Sequence, residues 1–483
     1  MTDPTHAVPA AGGGVPEAPP PAARAHDPLA VALGNASLLG VGYLMLRRRG
    51  LAMTAAVITA VLVVQLVSTS RVSYEVAVVL WWVAVTAHGW FLARGGTGRV
   101  AVRSRRLVAL GITLPVLLAV GLLRFDASKI ERSVTEARES GDCARVLDAQ
   151  DRVWFGHRIA DAPLTARGDE TVRACDRLET ARTELATALS GDTDALDEGF
   201  GTLASVLAGP GNEKTVAATL NGFLGTLPAK DPCDTVTVTD WLRDRKRSHD
   251  VLDRSADAAE RTAPAALVGC AEDLMADGSW EEARTHYEQL LARYPGDGLA
   301  AKSRKGVRKA TQSIELANVR SLLAGGTDSQ PEYCSNPAKY SGAKPIGKGT
   351  NRALFYANDE YGDDYPDKLP GSWKADDPAD AVLVVCMGED TSGSSVETCP
   401  YQSRTSGATT YVTFHKIAIP VKVYELRTGK LVANRKIQIN GTSCPALISY
   451  FTYGDSDPGP PSTRYVEESK SDVQAAFGPL VVR

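Results

Sequence analysis

Four apolar stretches crowd the first quarter of the chain, at about residues 29–46, 51–69, 74–93 and 107–123. Each approaches the ~20 apolar residues that a helix needs to cross a hydrocarbon core of roughly 30 Å. The last three run almost without charge, and Glu75 and Arg124 stand at ends, where a charged head reaches the interface. Gly34, Asn35 and Ser37 interrupt the first stretch, which leaves two arrangements open: a span, or a segment lying in one leaflet. Residues 28–124 therefore predict a membrane region of three or four helices. Ahead of it, residues 1–27 are rich in Pro, Ala and Gly with no apolar run, the composition of a disordered tail and not of a secretory signal.

From 125 to 324 the spacing of apolar residues changes to three and four, broken by Gly and Pro, and predicts a helical region. Gly-Asp turns at 141–142 and 191–192 mark possible helix starts. A stretch rich in Gly and polar residues at 325–331 reads as a linker. Beyond it the period becomes that of strands. Residues 381–386 form a short buried run; 409–414, 416–426 and 430–439 alternate or nearly so, and a hairpin turn at 427–430 joins the last two. Residues 446–453 give a further strand, and 469–477 a closing helix capped by Ser469 or Ser471. Residues 332–483 thus predict a β-rich domain, a sandwich or half-barrel.

Charge splits where the apolar stretches end. Up to residue 124 there are 11 arginines and no lysine against 4 acids, a formal +7, and the remaining 42 basic against 53 acidic residues give −11. A basic apolar head on an acidic body is the composition of an anchor carrying a domain, and the acidic body argues against nucleic acid as a partner. Arginines gather at 47–49 and at 94–106, whereas the loop between these regions carries only Arg71. Lys/Arg-rich loops face the cytoplasm, so the last stretch runs outward and the body emerges outside. His88 has no ionisable partner mid-span in the other stretches, so it is expected to be a polar residue near the cytoplasmic interface and not a proton path.

All eight cysteines lie in the body: Cys143, Cys175, Cys233, Cys270, Cys334, Cys386, Cys399 and Cys444. An even number in one compartment predicts disulfides, in agreement with the topology. Cys143 with Cys175 and Cys233 with Cys270 are candidate local pairs, although four cysteines permit three pairings. In the β-rich domain, one arrangement has Cys386 and Cys399 facing each other across a hairpin, leaving Cys334 for Cys444, and the connectivity stays open. No C-x₂₋₄-C spacing points to zinc.

Residues 264–295 carry a patterned helical hairpin. Leu267 and Ala271 lie on one face of its first helix, Gly278 marks the turn, and Trp280, Ala283 and Tyr287 lie on the second helix, which Pro295 ends. Small residues at 271 and 283 permit close approach, and the ring at 287 fills the gap beside the next helix. This pattern resembles a tetratricopeptide repeat, over about 32 residues. The resemblance implies helical hairpins stacked to present a concave surface, and hence protein binding. The chain as a whole is similar to multi-pass membrane proteins of actinobacteria that expose a helical-repeat segment, a likeness that implies no activity.

The remaining motifs point away from catalysis. Residues 342–348 match the start of a phosphate-binding loop, but Gly349 stands where the magnesium-binding Ser or Thr belongs and no apolar strand precedes it. The acidic cluster Asp359, Glu360, Asp363, Asp364 and Asp367 lacks the grammar of a calcium loop. The basic run 243–247 is short and interrupted by Asp244, as a solvated helix face would be. His415 beside a strand is expected at a strand edge. No catalytic, cofactor-binding or metal-binding residue is assigned. The sequence therefore predicts a non-enzymatic, membrane-anchored binding or scaffolding protein without cofactor, whose ligand is a protein, peptide or envelope polymer. The second reading is an envelope-acting hydrolase with its site in the C-terminal module. A sensor is disfavoured by the short cytoplasmic loops.

Overall fold

The computed structural model describes residues 27–69, 72–94, 103–324, 330–358, 365–404, 406–451 and 459–483. The chain divides into two compact units, residues 1–229 with 237–260 and residues 230–236 with 261–483.

The first unit begins with a broken helix. The stretch at 29–46 forms α1 (Pro28–Ala36) and α2 (Val41–Met45), separated by Leu38 and Gly40 at φ of 60° and 66°. At 1.5 Å per residue these reach only about 14 and 8 Å, too short to cross a bilayer. Three helices do have the length and apolar character to cross: α3 (Arg49–Thr69), α4 (Val72–Arg94) and α5 (Arg103–Ser140).

The break is satisfied by polar contacts to its neighbours. Asp27 caps α1 and pairs with Arg106 Nε at 2.6 Å, near the start of α5. Thr113 donates to Leu33 O at 2.6 Å, and Trp82, near the middle of α4, donates to Ala36 O at 2.9 Å. The chain then turns back. Asn35, fully buried, donates to Val85 O and accepts from Tyr43 N, each at 3.2 Å, while the Tyr43 hydroxyl lies 2.8 Å from His88 Nδ1. Backbone polar groups freed at a buried helix break need partners, and these bonds supply them. Close approach is essential here: a Cβ on Gly42 would lie 2.1 Å from Val31 O, and one on Gly89 would lie 2.3 Å from Asn35 Nδ2.

Helix α5 continues without a break beyond its apolar part, and its second half is amphipathic. Ile130, Val134 and Ala137 recur at intervals of three and four and are buried with Val146, Ala149 and Cys175. The helices α6 (Cys143–Gln150), α7 (Phe155–Ala160), α8 (Ala162–Ala188), α9 (Thr193–Leu207), α10 (Glu213–Leu224) and α11 (Pro232–Asp244) follow. Asp142, Asp161 and Asp192 cap α6, α8 and α9 through their side chains, so both Gly-Asp turns start helices as the sequence predicts. A disulfide joins Cys143 to Cys175. Leu178, Leu185, Leu196, Leu203 and Leu220 form the main core of this unit.

Helix α12 (Arg254–Asp277), most of which belongs to the second unit, forms a hairpin with α13 (Trp280–Arg293), and α14 (Ala300–Leu323) packs on α13. The turn residue Gly278 has φ +83°, a conformation that costs glycine little. Leu267, Ala271, Ala283, Tyr287 and Leu290 share one buried cluster, and beside it a disulfide joins Cys233, at the start of α11 and in this same unit, to Cys270 of α12. Trp280 is half-buried, and Pro295 lies exposed beyond the end of α13. The 325–331 stretch lies outside the described residues except for Gln330 and Pro331.

A six-stranded sheet completes this unit: β1 (Ala353–Tyr356), β2 (Leu383–Met387), β3 (Thr391–Gln402), β4 (Thr409–Glu425), β5 (Lys430–Ile439) and β6 (Thr463–Tyr465). The two runs expected at 409–414 and 416–426 are one strand, β4, and it organises the sheet. Along one edge it pairs with β3 and then β2; along the other with β6 and then β5. Two short helices, α15 (Tyr365–Lys368) and α16 (Lys470–Val481), complete the module. Ile417, Ile419, Val421 and Val423 cluster with Val473, Phe477 and Leu480 of α16, whose N-cap is Ser469. Residues 446–451, expected as strand, adopt no regular structure.

The expected disulfide pairing here is corrected. The bridges are Cys334–Cys386 and Cys399–Cys444. Cys386 lies opposite Lys422 and Cys399 opposite Val412, because β2 and β3 follow each other along one edge of β4. Ten residues of strand separate those positions, about 33 Å at ~3.3 Å per residue, far beyond disulfide reach.

Candidate functional site

The strongest concentration of chemistry lies where β2 gives way to β3. The buried run of β2 ends at Met387, and Gly388, Glu389 and Asp390 carry the chain out to solvent before β3 begins. Here a hollow of about 460 Å³ opens, with Met387, Ile417 and Ile419 among its lining residues. Tyr365, from α15, and Tyr465, from β6, also line it, as do Glu389, Asp390 and Glu468. The strands supply the apolar residues and the segments that leave them supply the acids, so burial and charge meet in one concavity.

Side chains around the hollow are held. Tyr365 is buried, and its hydroxyl donates to Asp390 Oδ2 at 2.6 Å. Lys368 Nζ meets Glu468 Oε1 at 2.5 Å and lies 5.6 Å from the centre of the Tyr365 ring. Gln474 of α16 donates to Lys368 O at 2.9 Å, which braces α15. Carboxyl groups around an apolar lining, one of which, Glu468, already pairs with Lys368, suit a ligand with a cationic head and an apolar stem.

No family model, curated protein or solved structure matches the chain.

A larger hollow, about 660 Å³, lies by the tip of β3, lined by Tyr401, Arg404, Leu447 and Tyr450 together with the Cys399–Cys444 bridge. Tyr401 donates to Pro445 O at 2.8 Å, and burial pushes its hydroxyl pKa up. Glu397, Cys399 and Cys444 bring ligand-type atoms within 4.8 Å of one another, but both sulfurs are committed to the bridge, which leaves no thiolate to bind a metal.

The other sequence candidates do not converge. The phosphate-loop-like segment at 342–348 precedes β1 and starts no helix. Of the acidic cluster only Asp367 is described, on α15 and 4.0 Å from Lys374; Asp359, Glu360, Asp363 and Asp364 lie outside the described residues. Within the basic run, Arg245 Nη2 bonds Asp253 Oδ1 at 2.9 Å and its guanidinium lies 5.4 Å from the Phe200 ring centre. Asp253 accepts backbone bonds from Ser248 and His249, which together with Arg245 hold its pKa below the usual value. That arginine is part of the structure of the turn. His415 lies within β4, with Nδ1 3.2 Å from Gly393 O on β3.

Sequence reasoning passed over Tyr365, Glu389, Asp390 and Glu468. One signal was present: an acidic Gly-Glu-Asp turn directly after a fully apolar strand.

Proposed function

We propose that the chain is a membrane-anchored, extracytoplasmic binding protein. Its C-terminal module receives a cationic segment of a protein or envelope polymer in the hollow rimmed by Glu389, Asp390 and Glu468. The observation that carries this reading is the convergence of those carboxyl groups on the apolar residues Met387, Ile417 and Ile419. Four disulfides and the two arginine-rich loops support an oxidising location for the body. The hairpin of α12 and α13, with its small residues at 271 and 283 and Tyr287 in the gap, supports a repeat-like packing unit beside the module.

Full-length protein in nanodiscs, titrated with trilysine and with its fully acetylated counterpart, tests the reading. Binding of trilysine alone is expected, and Asp390→Asn should weaken it by ten- to hundredfold, the ~1.5–3 kcal/mol typical of a bond to a charged group. Equal binding of both peptides, or no effect of D390N, contradicts it. The hydrolase reading draws on the same carboxyl groups. New reducing ends released from envelope polysaccharide by the wild type and not by D390N would select it instead.

A further inference from the structure

Helix α7 presents two aromatic side chains that the fold leaves uncovered. Trp154 is 58% exposed and Phe155 62%. They stand at the start of a turn whose Gly156, His157 and Ala160 lie inside. The indole is held in place. It packs over Gly156, where a Cβ would come within 2.6 Å of the ring, and it meets the His157 imidazole edge-on with centroids 5.8 Å apart. A side chain positioned this firmly and still exposed is presented to something.

Its height along the apolar bundle is fixed by ion pairs. Arg124 follows the last apolar residue of α5's membrane stretch and pairs with Glu75, near the start of α4. The same Arg124 bonds Asp161 Oδ2, the cap of α8 directly after α7, at 3.2 Å. Two residues further along α5, Asp126 Oδ2 lies 3.1 Å from His157 Nε2. Helix α7 also packs against α3 and α5. It therefore lies across the end of the apolar helices, at the level where their hydrocarbon-facing residues give way to charge. Phe125 is exposed at that level too, with Lys129 Nζ 4.6 Å from its ring centre.

Aromatic rings beside charged groups, at the end of an apolar band, are the composition of a membrane–water interface. We infer that Trp154 and Phe155 are an interfacial anchor: they insert into the outer leaflet of the same membrane that α3, α4 and α5 cross. The occupant of this surface is lipid, because Arg124 and Asp126 hold the α7 turn at the level where the exposed apolar residues Leu117, Leu118, Val120 and Leu122 of α5 end. The consequence is a second contact with the bilayer, outside the spans, which holds the first helical body of the chain close to the membrane surface.

The inference rests on the reading that α3–α5 span a membrane, and one experiment separates the two. Wild-type and Trp154→Phe protein are reconstituted in bilayers brominated either near the carbonyl end or near the terminal end of the acyl chains. Deep bromine must quench Trp81 and Trp82 in both proteins; if it does not, the spanning reading fails. The Trp154 contribution, wild type minus W154F, should fall with shallow bromine and be little affected by water-borne acrylamide. Quenching by acrylamide but not by shallow bromine, with Trp81 and Trp82 still quenched from within, overturns the anchor alone. Hydroxyl-radical footprinting of the wild type needs no variant. Oxidation of Trp154 and Phe155 as low as that of Phe91 in bilayers supports insertion, and oxidation as high as that of the exposed Tyr411 overturns it.

Discussion

Single side chains decide several local questions in this chain. Glu315 on α14 accepts from Ser341 N at 2.7 Å and pairs with Lys339 Nζ at 3.2 Å. Burial alone pushes its pKa up, but the bonds from Ser341 and Lys339 outweigh burial and leave it below the usual glutamate value. A depressed folded pKa stabilises the fold fully above the unfolded value of about 4.3, and that contribution is lost as pH falls through the folded value. Thermal unfolding followed from neutral pH down through the carboxylate range should therefore show a loss that is smaller in Glu315→Gln. An unchanged acid limb in E315Q would remove this carboxylate from the account. Asn35 shows the same economy in the apolar region, where one amide serves both sides of a helix break. The sequence singles it out as an interruption; what it does not disclose is that Val85 O and Tyr43 N are waiting for it.

Elements with a strong repeat were legible, and those without one were not. Apolar runs predicted α3, α4 and the first half of α5, and three-four spacing with a turn glycine predicted the α12–α13 hairpin. Leu267 at the centre of that hairpin is fully buried, so Leu267→Ala should lower stability by about 2–5 kcal/mol, read as a fall in the unfolding midpoint. A loss below ~1 kcal/mol would mean that this cluster is not a packed core. Strand β3 was illegible for a physical reason. Half of its residues are Ser, Thr and Gly and most positions are exposed, so no alternation marks it, and pairing to β4 holds it in place. Two disulfides were misplaced because the strands at Cys386 and Cys399 were expected to pair with each other, whereas both pair with β4, end to end along one edge. The short helices α1 and α2 follow the same lesson, because an apolar stretch of spanning length is divided by backbone at positive φ.

At the scale of the whole molecule, composition and covalent structure tell one story by separate routes. Basic residues gather among the apolar helices and acidic residues in the body, and every cysteine of the body is in a disulfide. The change of composition at residue 124 is not a boundary between elements, because α5 carries the chain through it as one helix of 38 residues, about 57 Å long. An apolar helix that runs unbroken into a folded body leaves no flexible joint between them, and the ion pairs of Arg124 brace that junction. The hollow at the end of β2, with its acidic rim, is where this account places the ligand. Its central claim is an anchored body folded in an oxidising compartment, and a count of free thiols tests that most directly. Full-length protein from its native membrane is alkylated without prior reduction and weighed intact. The account predicts no added label; eight added labels would contradict the bridges and the placement of the body outside the cytoplasm together.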